Sequence, residues 1–115
     1  MKNGLIIDEL GNKRWYVENK LHRDNDLPAV ECTDGDRLWY VEGKLHRDND
    51  LPAIEDSYGD KYWYVDDKRH RESGPAVVRN NGTYFEYWIN GEQIEDIPTD
   101  KLLTKEQLEI HITFM

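Results

Sequence analysis

The sequence lacks the features that would place it in several common protein classes. It contains one cysteine, Cys32, so no disulfide can form within the chain, and this favours a reducing compartment. It has no run of about 18 apolar residues, the length that a membrane-spanning helix needs. The apolar run nearest the N-terminus, Leu5-Ile6-Ile7, is too short for the core of a signal peptide. We therefore expect a protein without a membrane span that stays in the cytoplasm.

Positive charge and the usual core residues are also scarce. Fifteen Lys and Arg against 24 Asp and Glu give a formal net charge of −9. This charge repels phosphate backbones and disfavours direct nucleic-acid binding. The chain has only two Phe and two Met but four Trp and seven Tyr, so a few aromatic side chains must form much of the core of this small domain.

An internal repeat of 24 residues organises almost the whole chain. Trp15-Tyr16-Val17 recurs at residues 39–41 and 63–65, and at residues 87–89 with the two aromatics exchanged. His-Arg and Pro-Ala pairs follow each triplet in the first three repeats. We divide the single domain, residues 1–115, into a half repeat (1–11), four repeats (12–35, 36–59, 60–82 and 83–98) and a C-terminal cap (99–115).

The turn residues in each repeat predict β-hairpins. Two-residue connections follow the aromatic triplets: Glu18-Asn19, Glu42-Gly43, Asp66-Asp67 and Asn90-Gly91. Asn-Gly is the strongest sequence signal for the type I′ turn of a tight hairpin. A second turn recurs between hairpins, as at Asp34-Gly35. The expected fold class is all-β, a meander of repeated antiparallel hairpins in one twisted sheet.

The C-terminal residues depart from the repeat and predict a short capping helix. Thr104-Lys105-Glu106-Gln107 has the spacing of a capping box, which predicts a helix to about His111. A strand is the alternative for residues 110–114. Four apolar side chains would close the open end of the core, as terminal units of repeat proteins must: Leu103, Leu108, Ile112 and Phe114.

The repeat resembles a known type of sequence. The pattern Trp-Tyr-x-x-Gly-Lys-x-His-Arg-x-x-x-x-Pro-Ala, clearest from Trp39 to Ala53, resembles tandem repeats of phage and giant-virus proteins, which are similar to MORN-type hairpin repeats. The resemblance implies a MORN-like meander with a binding or scaffold role in a viral or bacterial setting, and no known chemistry. This chain lacks the Gly-x-Gly pairs of ordinary MORN repeats, so their lipid-binding roles do not carry over.

The repeated His-Arg pairs predict a structural ladder rather than a metal site. Equivalent positions in a stack with two strands per repeat lie about 9.5 Å apart, whereas all ligands of one zinc ion lie about 2 Å from it. We expect each His to bond a backbone carbonyl or a carboxylate and each Arg to cover an aromatic face. The alternative is a binding surface formed by the same ladder. Its members are His22, Arg23, His46, Arg47, His70 and Arg71.

Two further motifs match known sites only in part. The His-Arg-Asp at residues 22–24 and 46–48 occurs in kinase catalytic loops, but the glycine-rich loop, the strand lysine and the Asp-Phe-Gly site are missing. The Asp-Asn-Asp at residues 24–26 and 48–50 starts like a calcium loop but lacks the glycine and the final glutamate. We therefore reject the kinase match, interpret the Asp-Asn-Asp segments as Asx-type turns, and predict no metal and no cofactor.

Two sets of side chains are candidates for a protein-binding surface. Alternation along each strand places Trp and Val on the core face and an aromatic row on the other face, where it would be exposed or packed under loops or in a homodimer. That row is Tyr16, Tyr40, Tyr64 and Trp88. Acidic loops could present carboxylates to a basic partner, or be solvated turns that keep the sheet soluble. Their members are Asp24, Asp26, Asp48, Asp50, Asp66 and Asp67.

Repetition argues against an enzyme, because copies of one surface form an extended face whereas an active site needs unlike groups at one point. The sequence therefore predicts a non-enzymatic protein-binding module, such as a small acidic viral or phage inhibitor of a host nucleic-acid-binding protein. A structural protein that assembles through its open sheet edges is the alternative. An enzyme using His-Arg pairs is a third reading, which requires a concave pocket with a perturbed carboxylate beside one pair. Sugar binding through the aromatic row also stays open.

Overall fold

The computed structural model describes residues 1–115 as 15 strands and one helix, and most of the strands contain only two residues. The strands are β1 Gly4–Ile7, β2 Lys13–Val17, β3 Lys20–Leu21, β4 Val30–Glu31, β5 Arg37–Leu38, β6 Tyr40–Val41, β7 Lys44–Leu45, β8 Ile54–Glu55, β9 Lys61–Tyr62, β10 Tyr64–Val65, β11 Lys68–Arg69, β12 Val77–Arg79, β13 Tyr84–Glu86, β14 Trp88–Ile89 and β15 Glu92–Gln93. Helix α1 is Lys105–Thr113.

One antiparallel sheet runs the length of the molecule. Its strand order is β1-β2-β4-β5-β8-β9-β12-β13, with β3 paired to β2. Consecutive repeats add two strands each, in registers such as Val30 opposite Leu38 and Ile54 opposite Tyr62. The predicted all-β meander of antiparallel hairpins is confirmed, and the molecule measures 46 × 26 × 20 Å.

Three hairpins form separate two-stranded ladders beside this sheet, so the sheet is not continuous across each repeat. They are β6-β7, β10-β11 and β14-β15. Trp39 links its hairpin to the main sheet: its main-chain N–H donates to the Ala53 carbonyl of the same repeat, and its carbonyl accepts from the His46 N–H within its own hairpin. The extended segments that contain Trp39 and Trp63 therefore change partner at the tryptophan. The residues before it pair in the main sheet, and the residues after it pair in the hairpin.

The hairpin turns have the geometry that their sequences predict. Both central residues have positive φ, 51° and 82° at Glu42 and Gly43, and 49° and 83° at Asn90 and Gly91. This is the type I′ pattern, which matches the twist of the flanking strands. Most side chains are strained in that region, so a Glu at the first position is less favourable than the Asn of the last hairpin.

Small and aromatic residues of the repeats form the core along the sheet. Ala29, Ala53 and Ala76 are completely buried, and Trp39 and Trp63 are 5% and 8% exposed. Three valines that were expected to share the core face with tryptophan are instead 46%, 39% and 37% exposed: Val17, Val41 and Val65. That expectation was wrong because each valine directly precedes a two-residue hairpin turn, at the far end of its hairpin.

The C-terminal segment closes one end of the core. Tyr87, which replaces tryptophan in the fourth repeat, packs with Phe85, Ile94, Ile97 and Leu108. Helix α1 begins after the N-cap residue Thr104, whose side chain forms the predicted capping box with Gln107. Residues 110–113 are helical, so the strand alternative is wrong. Leu103 and Ile112 also pack on this cluster. Phe114 is 83% exposed, contrary to the prediction, because it lies beyond the last helical turn.

Candidate functional site

Three histidines join each hairpin to the next one along the molecule. The Nδ1 atom of His22 accepts a hydrogen bond from the Glu42 N–H at 3.0 Å, and His46 and His70 accept equivalent bonds from the next hairpin turns. The Nε2 atom of His22 lies 2.8 Å from an Asp24 carboxylate oxygen. A neutral ring with its proton on Nε2 satisfies both contacts. The ring thus holds its own loop and the neighbouring turn together.

The arginines of the ladder lie flat against tryptophan rings. The guanidinium carbons of Arg23, Arg47 and Arg71 are 3.6, 3.8 and 4.0 Å from the ring centroids of the tryptophans in their own repeats. The predicted arginine cover on an aromatic face is therefore present. Each Nη1 also donates to a proline carbonyl of the same repeat, at 3.1 to 3.2 Å. These side chains are largely buried and belong to the scaffold of the site.

The six predicted acidic residues divide into two groups. Asp26 and Asp50 accept hydrogen bonds from Arg47 and Arg71, and the Asp67 carboxylate accepts from the Leu45 N–H at 2.7 Å. These three therefore connect repeats. The others have highly exposed side chains, at 79%, 78% and 70%: Asp24, Asp48 and Asp66.

The ladder and the exposed carboxylates of Asp24 and Asp48 border two equivalent clefts on one side of the molecule. Cleft A, of about 370 Å³, lies between the loop at residues 46–50, the strand at 63–65 and the loop at 70–73. Cleft B, of about 250 Å³, is formed by the same elements one repeat earlier, at residues 22–26, 39–41 and 46–49. Both are lined mainly by polar and charged residues, with Asp48 on their shared border. The 24-residue period therefore produces a row of like clefts.

Glu72 also lines cleft A, and the sequence reasoning missed it. Its carboxylate lies 3.4 Å from the His70 Nε2 atom, the place that Asp24 and Asp48 take beside their own histidines. The signal was present in the sequence, because residue 72 follows residues 24 and 48 at the repeat spacing. The exposed acidic row is therefore Asp24, Asp48 and Glu72, with Asp66 on the hairpin side.

The aromatic row is only half exposed. Tyr16, Tyr40, Tyr64 and Trp88 are all intermediate in burial. The Tyr64 hydroxyl accepts from Arg69 Nε, and the Trp88 indole N–H donates to Glu86. Burial raises the pKa of Tyr40, with smaller effects from Asp67 and Tyr64. The row therefore presents only part of each ring to solvent and does not form a continuous exposed aromatic surface.

The carboxylate beside the His-Arg pairs of cleft A is that of Asp50. Its pKa is shifted in the direction that favours an ion pair over proton transfer. Hydrogen bonding from Arg71 lowers the pKa of Asp50, against the opposing effect of burial. Ser73 donates a further hydrogen bond to the same carboxylate at 2.7 Å. A general base is most effective when its pKa is near the operating pH, and here the shift goes the other way.

One group of possible metal ligands lies away from these clefts. Atoms of Cys32, Asp34 and Asp36 lie within 4.8 Å of one another at the turn between the first two full repeats. Burial, followed by the charges of Asp34 and Asp36, raises the pKa of the Cys32 thiol. A raised pKa disfavours the thiolate, which is the form of cysteine that binds metals.

The one helix of the chain is far shorter than a membrane crossing requires. Comparisons of the chain with models of known protein families, with curated proteins and with solved structures found no match.

Proposed function

We propose that this chain is a non-enzymatic protein-binding module that uses the row of clefts and its exposed carboxylates to hold a basic surface of a partner protein. The supporting observation is that the positive and negative side chains at the clefts differ in how far they are bonded within the chain. The guanidinium groups of Arg47 and Arg71 are tied to carboxylates and carbonyls of the chain, whereas Asp24 and Asp48 project into solvent. Apart from the Nε and Nη2 groups of Arg23, which have no acceptor within residues 1–115, the free charge of this face is therefore negative.

Negative charge at a regular spacing supports a partner with basic groups along an extended surface. Equivalent positions of successive repeats are separated by two strands, or about 9.6 Å. The net charge of −9 adds long-range attraction to such a surface. A basic nucleic-acid groove of a host protein has this character, and the chain would then act as its inhibitor. The resemblance to phage and giant-virus repeats and a cytoplasmic location belong to the same proposal.

The test compares two variants that lose the same number of carboxylates. The first is Asp24→Asn, Asp48→Asn and Glu72→Gln together, which removes exposed charge from the clefts. The control changes three exposed acidic residues that make no side-chain bond within the chain, and it comprises Glu95→Gln, Asp96→Asn and Asp100→Asn. A purified basic protein identified by capture on the wild-type chain is then titrated with all three proteins.

We expect the cleft variant to bind at least tenfold more weakly and the control to bind within about twofold of the wild-type chain. The difference should shrink when the salt concentration is raised, because salt screens exposed charges. Equal weakening by both variants would show a non-specific charge effect and would contradict the proposed site. Circular dichroism of each variant checks that the fold is retained.

A self-assembling structural role is the second candidate, and strand β1 favours it. The outer edge of β1 is unpaired within residues 1–115, and Leu5, Ile6 and Ile7 are 46%, 40% and 55% exposed. An unprotected apolar edge of this kind can pair with another strand. Light scattering over a range of concentrations would detect such assembly, and Ile6→Lys should abolish it. A mass that stays monomeric at all concentrations excludes this role.

A further inference from the structure

One aspartate connects the first two full repeats through two different groups. The main-chain carbonyl of Asp26 accepts a hydrogen bond from the indole Nε1 of Trp39 at 3.0 Å. Its carboxylate accepts from Nε and Nη2 of Arg47, at 2.9 and 3.3 Å. Since Arg47 is stacked on Trp39, the two side chains form a single clasp around one aspartate residue.

The next pair of repeats contains the same clasp. The carbonyl of Asp50 accepts from the indole Nε1 of Trp63 at 3.0 Å, and its carboxylate accepts from Nε and Nη2 of Arg71 at 2.8 and 3.2 Å. Asp26 and Asp50 both have left-handed backbone, with φ of 56° and 58°. The chain therefore shows twice, with nearly the same geometry, which ligand fits a stacked Trp-Arg pair.

The first repeat has the clasp without an aspartate from the chain. Arg23 is stacked on Trp15, and its Nη1 donates to the Pro28 carbonyl and to Glu31, as Arg47 Nη1 does in the next repeat. The Trp15 indole N–H and the Nε and Nη2 groups of Arg23 have no acceptor within residues 1–115. No buried side-chain polar atom of the chain lacks a partner, so these donors are open to solvent.

Lys2 takes the sequence position that Asp26 and Asp50 hold one and two repeats later. Its carbonyl accepts from the Asn19 N–H at the turn of the first hairpin, and its ammonium lies 5.0 Å from the Tyr16 ring centroid. Neither group is a carboxylate, so Lys2 cannot act as the ligand of Arg23. The cation instead adds positive charge at this end of the molecule.

We propose that Trp15 and Arg23 form a binding site for one aspartate residue of a partner protein, presented in a left-handed Asp-Asn-Asp type of turn. The main-chain carbonyl of that aspartate would accept from the indole, and its carboxylate would accept bidentately from the guanidinium. A glutamate fits less well, because its longer side chain changes the distance between carbonyl and carboxylate. This inference goes beyond the binding of a basic surface, since the ligand here is acidic.

The partner is a different protein rather than a second copy of this chain. Both Asp-Asn-Asp turns of the chain already hold their own Trp-Arg pairs. The third loop, Glu72-Ser73-Gly74, has no aspartate and is one residue shorter than the first two. A copy could fill the site only by breaking an internal clasp of its own.

The probe for this site is a synthetic peptide with the sequence of residues 20–29, which contains the native Asp-Asn-Asp turn. It is titrated into the isotopically labelled full chain while the indole N–H and arginine Nε–H resonances are followed by NMR. We expect saturable shifts of the Trp15 and Arg23 resonances with a dissociation constant on the order of 1 mM. Trp39 and Trp63 should not shift, because their indole N–H groups already have acceptors.

Matched controls separate aspartate recognition from simple anion binding. A peptide with Asn or Glu in place of the aspartate equivalent to Asp26 should bind at least tenfold more weakly. Arg23→Gln and Arg23→Lys should each abolish the Trp15 shift, whereas Arg37→Gln, which removes another arginine within 5.9 Å of a tryptophan ring, should leave it unchanged. The remaining amide spectrum reports whether each variant is folded.

Three results would overturn the proposal. The first is the absence of a Trp15 shift at about 10 mM peptide, tenfold above the expected dissociation constant. The second is an equal shift with acetate or inorganic phosphate alone, which would mean a simple anion site. The third is a Trp15 shift that depends on protein concentration without any peptide, which would identify a second copy as the occupant.

Discussion

Replacing Arg47 with alanine should destabilise the protein more than the same change at Arg23. Both side chains stack on a tryptophan, at 3.8 and 3.6 Å, and both donate Nη1 to a proline carbonyl. Losing that packing and that bond costs about 2 kcal/mol at either site. Arg47 alone also has the paired carboxylate of Asp26. Since the Asp26 side chain is 50% exposed, solvent screening limits this pair to about 1 kcal/mol.

The free energy of unfolding should therefore fall by about 3 kcal/mol in Arg47→Ala and by about 2 kcal/mol in Arg23→Ala. Urea unfolding with an unchanged slope measures both values. Arg47→Lys keeps the charge but loses the planar fork, so it should recover little of the loss.

A double-mutant cycle with Asp26→Ala isolates the carboxylate, because the main-chain carbonyl that binds the Trp39 indole remains in that variant. We expect a coupling energy of about 1 kcal/mol between the two substitutions. A coupling of zero, or equal losses in Arg47→Ala and Arg23→Ala, would refute the argument that this aspartate joins the repeats. It would also remove the internal template for an aspartate site at Trp15.

Three further changes probe other parts of the molecule. Asp8 accepts a hydrogen bond from Arg14 at 2.9 Å, which lowers its pKa from 3.8 to about 2. The stability that it contributes is therefore present above about pH 4 and is lost as the pH falls towards 2, so the urea midpoints of the wild-type chain and Asp8→Asn should converge over that range. A midpoint difference that is constant with pH contradicts this. Glu42→Asn should raise the melting temperature by a few degrees, because Asn tolerates the left-handed φ of 51° at this type I′ turn, and an unchanged melting temperature would oppose this reasoning. Tyr87→Phe should lower the free energy of unfolding by about 2 kcal/mol in urea, since the buried hydroxyl bridges two backbone groups of the C-terminal segment. A loss below about 0.5 kcal/mol would mean that these bonds add little.

The period and the turns were predictable because they depend on local chemistry. Two-residue connections such as Asn90-Gly91 set the hairpin register by themselves, and both residues have the expected positive φ. The capping box at Thr104 likewise needs only residues three apart. The site depends on contacts between repeats. For these contacts the sequence shows which residue types are present but not which way each side chain points.

Asp24 and Asp26 illustrate this limit. They have the same chemistry and lie two residues apart, yet Asp26 is bound by Arg47 while Asp24 remains exposed and contacts only its own histidine. The left-handed backbone of Asn25 and Asp26, with φ of 64° and 56°, turns the two carboxylates in different directions. Nothing in the sequence pattern specifies which of the two faces the next repeat.

At the N-terminus, the position of Asn3 could not be derived from the repeat either. Its Oδ1 accepts from the Glu18 N–H at 2.8 Å, as the Nδ1 of His22 accepts from the Glu42 N–H one repeat later. Asn3 precedes Glu18 by 15 residues and His22 precedes Glu42 by 20, so the period does not relate the two. An amide oxygen here replaces an imidazole nitrogen because both are acceptors of suitable reach.

The short strands explain why stability and binding use different members of the same repeated loops. A two-residue strand forms few backbone hydrogen bonds, so neighbouring repeats rely on the side chains of histidine and arginine, and on one aspartate in each of the first two loops, to stay joined. A substitution at Arg47 or Asp26 therefore lowers the stability of the fold, whether or not it affects the binding of a partner. Asp24 and Asp48 are free of that constraint, since each bonds only a histidine of its own loop. A partner that binds the clefts without unfolding the repeats must therefore contact Asp24 and Asp48. Loss of binding after their substitution can then be assigned to the surface rather than to unfolding.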